Sequence, residues 1–139
     1  MSQTILVIED QEQNLYLMKY MLEQRGYRVV LARDGEAGIA AARVENPDLI
    51  LLDIQLPRIS GYDVARALQS DLTTSTTPIV AVTSYAMPED RKEAMAAGCT
   101  GYVEKPIEPD RFIHQMEEHL RKDPADPSDL PCGAEGGPG

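Results

Sequence analysis

The feature that most constrains this chain is a run of four aliphatic residues, Leu49 to Leu52, between the carboxylates Asp48 and Asp53. A strand that is apolar on both faces has to be covered on both sides, as in parallel sheets flanked by helices. In such open sheets, ligand chemistry lies at the carboxyl ends of the strands. Asp53 stands where this end is expected. Since Asp is also common in ordinary loops, Asp53 alone does not decide between a site and a loop.

The composition predicts one globular domain in a reducing compartment. A length of 139 residues with 42% hydrophobic content suffices for a single sizeable core. The two cysteines, Cys99 and Cys132, show neither metal-binding nor redox spacing, so we expect Cys99 to be a small core residue. No stretch reads as a signal peptide or a membrane span. We therefore expect a cytoplasmic protein.

The charge disfavours nucleic acid as a partner. The formal net charge is −10, and residues 123–139 contribute four acids and no base. Such a surface repels a phosphate backbone, although the total charge does not exclude a small basic patch, and clustered acids suit a hard divalent cation. Eight of those 17 residues are Pro or Gly. We expect 1–122 to form the folded domain and 123–139 to be a disordered tail.

Strand and helix patterns alternate along the chain. Aliphatic or β-branched runs predict strands at 4–8, 27–32, 48–53, 78–83 and 101–104. Helices are predicted at about 10–26, 34–45, 62–69, 88–97 and 109–122, the first with Asp10 as N-cap and Gln13 completing a capping box. Five strands alternating with five helices predict an α/β fold, a three-layer α/β/α sandwich around a parallel sheet. The pattern alone leaves the strand order open.

Apolar residues at helical spacing indicate which faces are buried. They are Leu15, Met18, Met21 and Leu22 in the first helix, Val64, Ala65 and Leu68 in the third, and Phe112, Ile113, Met116 and Leu120 in the last. His114 and His119 have no companion for metal binding, and we expect both at the surface. The threonine-rich segment 72–77 is predicted to be a polar linker.

Polar side chains stand at the ends of four of the predicted strands. Glu9 and Asp10 follow the first strand, Asp53 ends the third, Thr83 ends the fourth and Lys105 follows the fifth. Parallel strands end at one edge, so these groups can converge. Mg²⁺ would relieve the repulsion among the carboxylates, and cation, ammonium and hydroxyl together stabilise a transferring phosphoryl group. A carboxylate can itself accept that group as an aspartyl phosphate, and Asp53 is the best candidate.

Four motifs in this order resemble the response-regulator receiver domain, the CheY-like module of two-component signalling. They are Ile8-Glu9-Asp10, Asp53 to Pro57 with Gly61, Ala81 to Ser84, and Tyr102 to Pro106. The resemblance covers residues 4 to about 122 and implies a flavodoxin-like strand order of 2-1-3-4-5. Without an output domain, the chain is most similar to stand-alone DivK-like regulators.

The resemblance implies roles for the strand-end residues. Asp53 would accept a phosphoryl group from the phosphohistidine of a sensor histidine kinase or histidine phosphotransfer protein. Asp10 and Asp53 would bind Mg²⁺ directly, Glu9 through water, and Gln55 through its backbone carbonyl. Lys105, before a cis peptide bond to Pro106, would pair with the carboxylate and then with the phosphoryl group.

The resemblance also implies a switch. Thr83 would move toward the phosphoryl group and Tyr102 would swing inward behind it, altering the face formed by the fourth helix, fifth strand and fifth helix for downstream protein targets. We expect a signalling protein rather than an enzyme. We also expect the protein to be a monomer or a weak homodimer. Taken singly, Lys105 could be an exposed lysine, Thr83 an ordinary strand residue and Tyr102 a core residue.

Three other functions compete with this interpretation. A haloacid-dehalogenase-type phosphatase also uses a strand-end aspartate, but it needs a second aspartate two residues later, where this chain has Gln55. A flavodoxin-like FMN carrier needs a phosphate-cradling loop after its first strand, and here that loop is the acidic segment 9–12. A phosphorylation-independent adaptor with the receiver fold stays open.

Overall fold

A five-stranded parallel sheet forms the centre of the protein, whose computed structural model describes residues 3–84 and 87–120. The strands are β1 (Thr4–Ile8), β2 (Arg28–Ala32), β3 (Leu49–Asp53), β4 (Ile79–Thr83) and β5 (Gly101–Glu104), in the order β2-β1-β3-β4-β5. The helices are α1 (Glu12–Gln24), α2 (Gly35–Glu45), α3 (Gly61–Ser70), α4 (Pro88–Ala96) and α5 (Pro109–Glu117). The predicted fold class and strand order are confirmed. The tail, Cys132 and the boundary at 122 lie outside the described residues.

Each face of the sheet packs into its own hydrophobic layer. In β1, Leu6 and Ile8 point to one layer while Ile5 and Val7 point to the other, and β3 divides its residues in the same way. This follows from the two-residue period of a strand. Side chains of α2, α3 and α4 complete the first layer, and those of α1 and α5 complete the second. The buried faces predicted for α1 and α3 are confirmed, and Cys99 is buried at 5% exposure.

The helix ends agree with the sequence prediction at α2 and differ from it at α1 and α5. Asp34 caps α2 by accepting a hydrogen bond from the Ala37 amide at 2.8 Å. The predicted cap at Asp10 is wrong, because α1 begins after Gln11, which makes no side-chain cap. The last helix ends at Glu117, earlier than predicted, and His119 is half-buried against Gly101 rather than at the surface. No helix in the described part of the chain is long and apolar enough to cross a membrane.

The segment between α3 and β4 is more than a polar linker. Thr74 and Thr77 are buried at 1% and 2% exposure. The Thr74 hydroxyl donates to the Leu68 carbonyl at 2.6 Å, which ties the turn to the end of α3. Buried hydroxyls need such partners to offset their lost hydration, and the composition of the segment does not reveal them.

Gly61 brings α3 against the end of β3. A Cβ on Gly61 would lie 2.5 Å from the Ile54 Cα and 2.6 Å from the Asp53 carbonyl oxygen. The Gly61 amide donates to the Ile54 carbonyl at 2.9 Å. Since both clashing atoms belong to the backbone, a rotamer change cannot make room. The absence of a side chain at Gly61 therefore fixes the backbone around Asp53.

We predict that Gly61→Ala lowers the free energy of unfolding by about 1–3 kcal/mol, the usual cost of overpacking a close contact. Urea denaturation monitored by circular dichroism measures this change. Ser70→Ala, at the exposed far end of α3, is the matched control and is expected to stay within about 0.5 kcal/mol of the parent. Equal stability of the two variants would contradict the close approach.

Candidate functional site

Three carboxylates converge at the carboxyl edge of the sheet. β1 and β3 are neighbours with Ile8 opposite Leu52, so the residues that follow them, Glu9 and Asp53, come side by side. Asp10 is the next residue along the chain. Ligand oxygens of the three acids all lie within 4.8 Å of one another. The convergence predicted for the first and third strands is therefore present in the fold.

Two of these acids are buried beside the ammonium of Lys105. Glu9 is 0% exposed and Asp53 is 3% exposed, whereas Asp10 is exposed. The Lys105 ammonium lies 3.2 Å from Glu9 Oε1 and 3.6 Å from Asp53 Oδ1, and its side chain is 12% exposed. Lys105 is thus an inward-facing base that bridges two carboxylates, rather than an exposed lysine.

Backbone amides hold the buried carboxylates in place. The Gln11 amide donates to Glu9 Oε2 at 3.2 Å, and the Gln55 amide donates to Asp53 Oδ1 at 3.0 Å. Glu9 Oε1 receives no well-directed hydrogen bond from the described residues, although it faces the Lys105 ammonium. The geometry therefore leaves one buried carboxylate oxygen with a charge contact but no proper donor.

The environment raises the pKa of Glu9 from an ordinary value of 4.5 to about 7. Burial is the main cause, because it penalises the charged form, and the neighbouring Asp53 carboxylate adds repulsion. The Lys105 ammonium and the Gln11 amide act in the opposite direction and lower the pKa. One ammonium therefore does not fully compensate the negative charge collected at this edge.

The donor set fits a hard divalent cation. Three carboxylates within one ligand-sized cluster supply the oxygen ligands that Mg²⁺ prefers. The under-satisfied Glu9 Oε1 is a buried acceptor that a cation or its water would complete. Gln55, proposed to contribute its backbone carbonyl, follows Asp53 by two residues at the same edge. The residues present therefore match the predicted metal site in chemistry.

β4 and β5 bring the remaining predicted residues to the same edge. The Lys105 amide donates to the Thr83 carbonyl at 2.8 Å, which aligns the two strand ends. Thr83 is 2% exposed, and its side chain lies close enough to the half-buried Tyr102 to lower the pKa of that phenol, against the rise caused by burial. The Lys105–Pro106 peptide bond is cis, as the resemblance implied.

The family model of the response regulator receiver domain matches residues 5–117. The chain belongs to the response regulator receiver domain family. It is similar to the polar-differentiation response regulator DivK of Brucella ovis, with 38% identity over 120 residues that cover 86% of this chain and 98% of that protein. This receiver domain is therefore DivK-like.

Solved receiver structures support the same fold. Chemotaxis protein CheY4 of Vibrio cholerae superimposes with a TM-score of 0.83 at 27% identity, covering 86% of this chain and 100% of that one. The receiver domain of sensor histidine kinase PA1611 from Pseudomonas aeruginosa PAO1, with a magnesium ion coordinated in its active site cleft, gives a TM-score of 0.79 at 31% identity, covering 86% and 98%.

Two contacts around this receiver site were missed by the sequence analysis. The Arg91 guanidinium lies over the Tyr102 ring, 5.5 Å from its centroid. Arg58, at φ 67° in the loop after β3, pairs with Asp34 at the start of α2 at 3.1 Å. Both pairs join different elements, so neither follows a helix or strand period. The only sequence signal available was the position of each residue near a strand end or loop.

We predict that Glu9 makes the receiver domain less stable as pH rises in divalent-free buffer. Its folded pKa of about 7 exceeds the ordinary 4.5, so between these values the folded state binds more protons than the unfolded state. The contribution of Glu9 to the free energy of unfolding therefore falls as pH rises from about 4.5 to about 7, by about 3 kcal/mol at most.

Urea denaturation with EDTA between pH 5 and 8 measures this slope. Glu9→Gln is expected to flatten the pH profile, because the amide does not titrate. Glu36→Gln, an exposed acid in the first turn of α2, is the control that should keep the parental slope. Identical profiles for the two variants would refute the assignment to Glu9.

Proposed function

We propose that this receiver domain accepts a phosphoryl group on Asp53 from a phosphohistidine of a sensor histidine kinase or a histidine phosphotransfer protein. The observation that carries the proposal is the setting of the Asp53 carboxylate. It is buried at the end of β3, lies 3.6 Å from one ammonium and belongs to a cluster of three acids. A buried carboxylate next to an ammonium and two further acids is suited to act as the nucleophile toward an anionic phosphoryl group.

The proposed step is a transfer between two proteins. An Asp53 carboxylate oxygen attacks the phosphorus, the phosphorus–nitrogen bond of the donor breaks, and the imidazole nitrogen keeps the electron pair and takes up a proton. The product is an acyl phosphate on Asp53. The Gln55 amide, 3.0 Å from Oδ1, orients the carboxylate before the attack.

Charge stabilisation comes from groups already placed at the edge. The Lys105 ammonium, close to both buried acids, can follow the negative charge onto the phosphoryl oxygens. The Thr83 hydroxyl, buried at the end of β4, would donate to the phosphoryl group as well. Glu9, Asp10, Asp53 and the Gln55 carbonyl would hold Mg²⁺, which when bound neutralises charge on the acids and on the phosphoryl oxygens.

We further propose that phosphorylation alters a protein-binding face. Met87, the N-cap residue of α4, and Met95, within α4, are exposed at 60% and 39% and offer apolar surface to a protein partner. Tyr102 lies half-buried on β5 between α4 and the site edge. A shift of Tyr102 would therefore change the surface around α4, β5 and α5 that downstream proteins contact.

We propose a signalling protein rather than a turnover enzyme. Gln55 stands where a phosphatase of the aspartyl-nucleophile type needs its acid, and its side chain is exposed. The segment after β1 is acidic and lies against the carboxylate cluster, unlike a loop that cradles the phosphate of FMN. A phosphorylation-independent adaptor with the receiver fold is the remaining alternative, and it would not form a phosphoryl adduct.

We predict that the full chain incubated with Mg²⁺ and acetyl phosphate gains one phosphoryl group, and that Asp53→Asn gains none. Asn has the shape of Asp but no nucleophilic carboxylate. Intact-mass spectrometry at neutral pH, followed by hydroxylamine treatment, measures the adduct and its acyl-phosphate lability. Asp63→Asn, an exposed acid on α3, is the matched control and should be phosphorylated like the parent.

An adduct that persists in Asp53→Asn would place the acceptor elsewhere. No adduct on the parent, either with acetyl phosphate or with a panel of phosphorylated histidine kinases, would contradict phosphoryl acceptance and leave the adaptor function. Measuring Mg²⁺ binding in the same samples separates a missing cation from a missing nucleophile.

We predict that Lys105→Met weakens the metal-free fold but tightens Mg²⁺ binding. Removal of the ammonium leaves Glu9 and Asp53 without their shared base, which costs about 3–5 kcal/mol where a buried pair is broken. The same loss removes a competing cation, so Mg²⁺ affinity should rise by about tenfold. Denaturation with EDTA and calorimetric Mg²⁺ titration measure the two effects.

Lys19→Met is the control, since Lys19 pairs with Glu23 at the surface of α1. It should change neither quantity appreciably. Weaker Mg²⁺ binding in Lys105→Met than in Lys19→Met would show that the ammonium supports the cation site instead of competing with the ion.

A further inference from the structure

Helix α4 is the least firmly packed helix next to the site. Of its nine residues, only Ala94 is buried, whereas α1 and α3 each bury four. Elements that bury little apolar surface shift at lower free-energy cost than the core does. Each side-chain contact between α4 and the sheet therefore has a larger effect on the position of α4 than a similar contact would have on a well-packed helix.

One of these contacts is a cation over an aromatic ring. The Arg91 guanidinium of α4 lies 5.5 Å from the centroid of the Tyr102 ring on β5, within the range of a cation–π interaction. Arg91 is exposed, and within the described residues no carboxylate lies at ion-pair distance from it. The tyrosine ring is thus the specific partner that the structure gives this guanidinium.

The other side of Tyr102 connects to the site. The side chain of Thr83, the buried residue at the end of β4, lies close enough to the Tyr102 phenol to lower its pKa. A threonine hydroxyl has a single proton to donate. If Thr83 turns this proton toward an anion held at Asp53, its present pairing with Tyr102 has to change. The position of the Tyr102 ring therefore affects whether the Thr83 hydroxyl can donate to an anion at Asp53.

We propose that Arg91 is a positioning residue that holds Tyr102, through the ring contact, in the arrangement that keeps Thr83 paired with it. Arg91 thereby sets how readily Thr83 turns to a phosphoryl group at Asp53. The inference rests on the proposed function and adds a regulatory residue on α4 to it. Loss of the contact is expected to favour the state in which Thr83 is released.

Fluorine NMR of the full chain labelled with 3-fluorotyrosine tests this, with Tyr102→Phe identifying the Tyr102 resonance. The probe is beryllofluoride with Mg²⁺, a mimic of the phosphoryl group. We expect Arg91→Gln to shift the Tyr102 resonance of the free protein toward its beryllofluoride position. The beryllofluoride concentration at half-occupancy should fall by about two- to fivefold, the ratio that matches an exposed cation–π contact.

Two further variants separate positioning from charge and from folding. Lys92→Gln removes the same charge from the next residue of α4, which is also exposed, and should leave both readouts at parental values. Arg91→Lys keeps a cation that can reach the ring and should restore most of the parental behaviour. A result in which Arg91→Gln and Lys92→Gln agree in both readouts would overturn the proposal.

The design also distinguishes this inference from the function on which it rests. If the parent fails to bind beryllofluoride, the proposed phosphoryl site fails, and the Tyr102 resonance of the free protein still decides the role of Arg91. A displacement in Arg91→Gln beyond that in Lys92→Gln supports positioning, and equal displacements reject it.

Discussion

The burial of two carboxylates with one ammonium is the constraint on which the rest of the site depends. Glu9 and Asp53 are held at the sheet edge with the Lys105 ammonium between them. Buried charges without full compensation are costly, and the raised pKa of Glu9 reflects this cost. A protein tolerates such an arrangement only when strands and backbone amides fix the groups firmly, and here both do. The uncompensated negative charge favours a cation at this edge, and the proposed phosphoryl group would bind beside that cation.

The parallel topology explains how distant residues meet. β1 and β3 lie side by side, β4 follows β3 and β5 follows β4, so each strand delivers one polar end to the same edge. The strand bodies are almost wholly apolar and buried in two layers. The hydrophobic effect therefore positions the polar groups, although these groups gain nothing from burial themselves. Gly61 lets the following helix approach closely enough to fix the end of β3.

The strands, the layers and the convergence of the acids could be predicted because they follow from local apolar patterns and from the direction of parallel strands. Failures came where one residue had two possible local uses. Asp10 has the chemistry of an N-cap, but its carboxylate lies with Glu9 and Asp53, and α1 starts without a side-chain cap. The contact of Arg91 with Tyr102 joins a helix to a strand across the fold, and no sequence period encodes such a pair.

The uneven packing of the fold indicates which elements around the site can move when the charge at Asp53 changes. The carboxylates stand at the ends of β1 and β3, whose residues are almost all buried, so they cannot move far without disrupting both layers. α4 buries one side chain and meets the site edge through Tyr102. A new charge interaction at Asp53 therefore meets tightly packed strands on the β1–β3 side and a loosely packed, compliant helix on the α4–β5 side. Because a ligand shifts a conformational equilibrium only by its differential interaction with the two states, the compliant α4–β5 side is where that difference can accumulate.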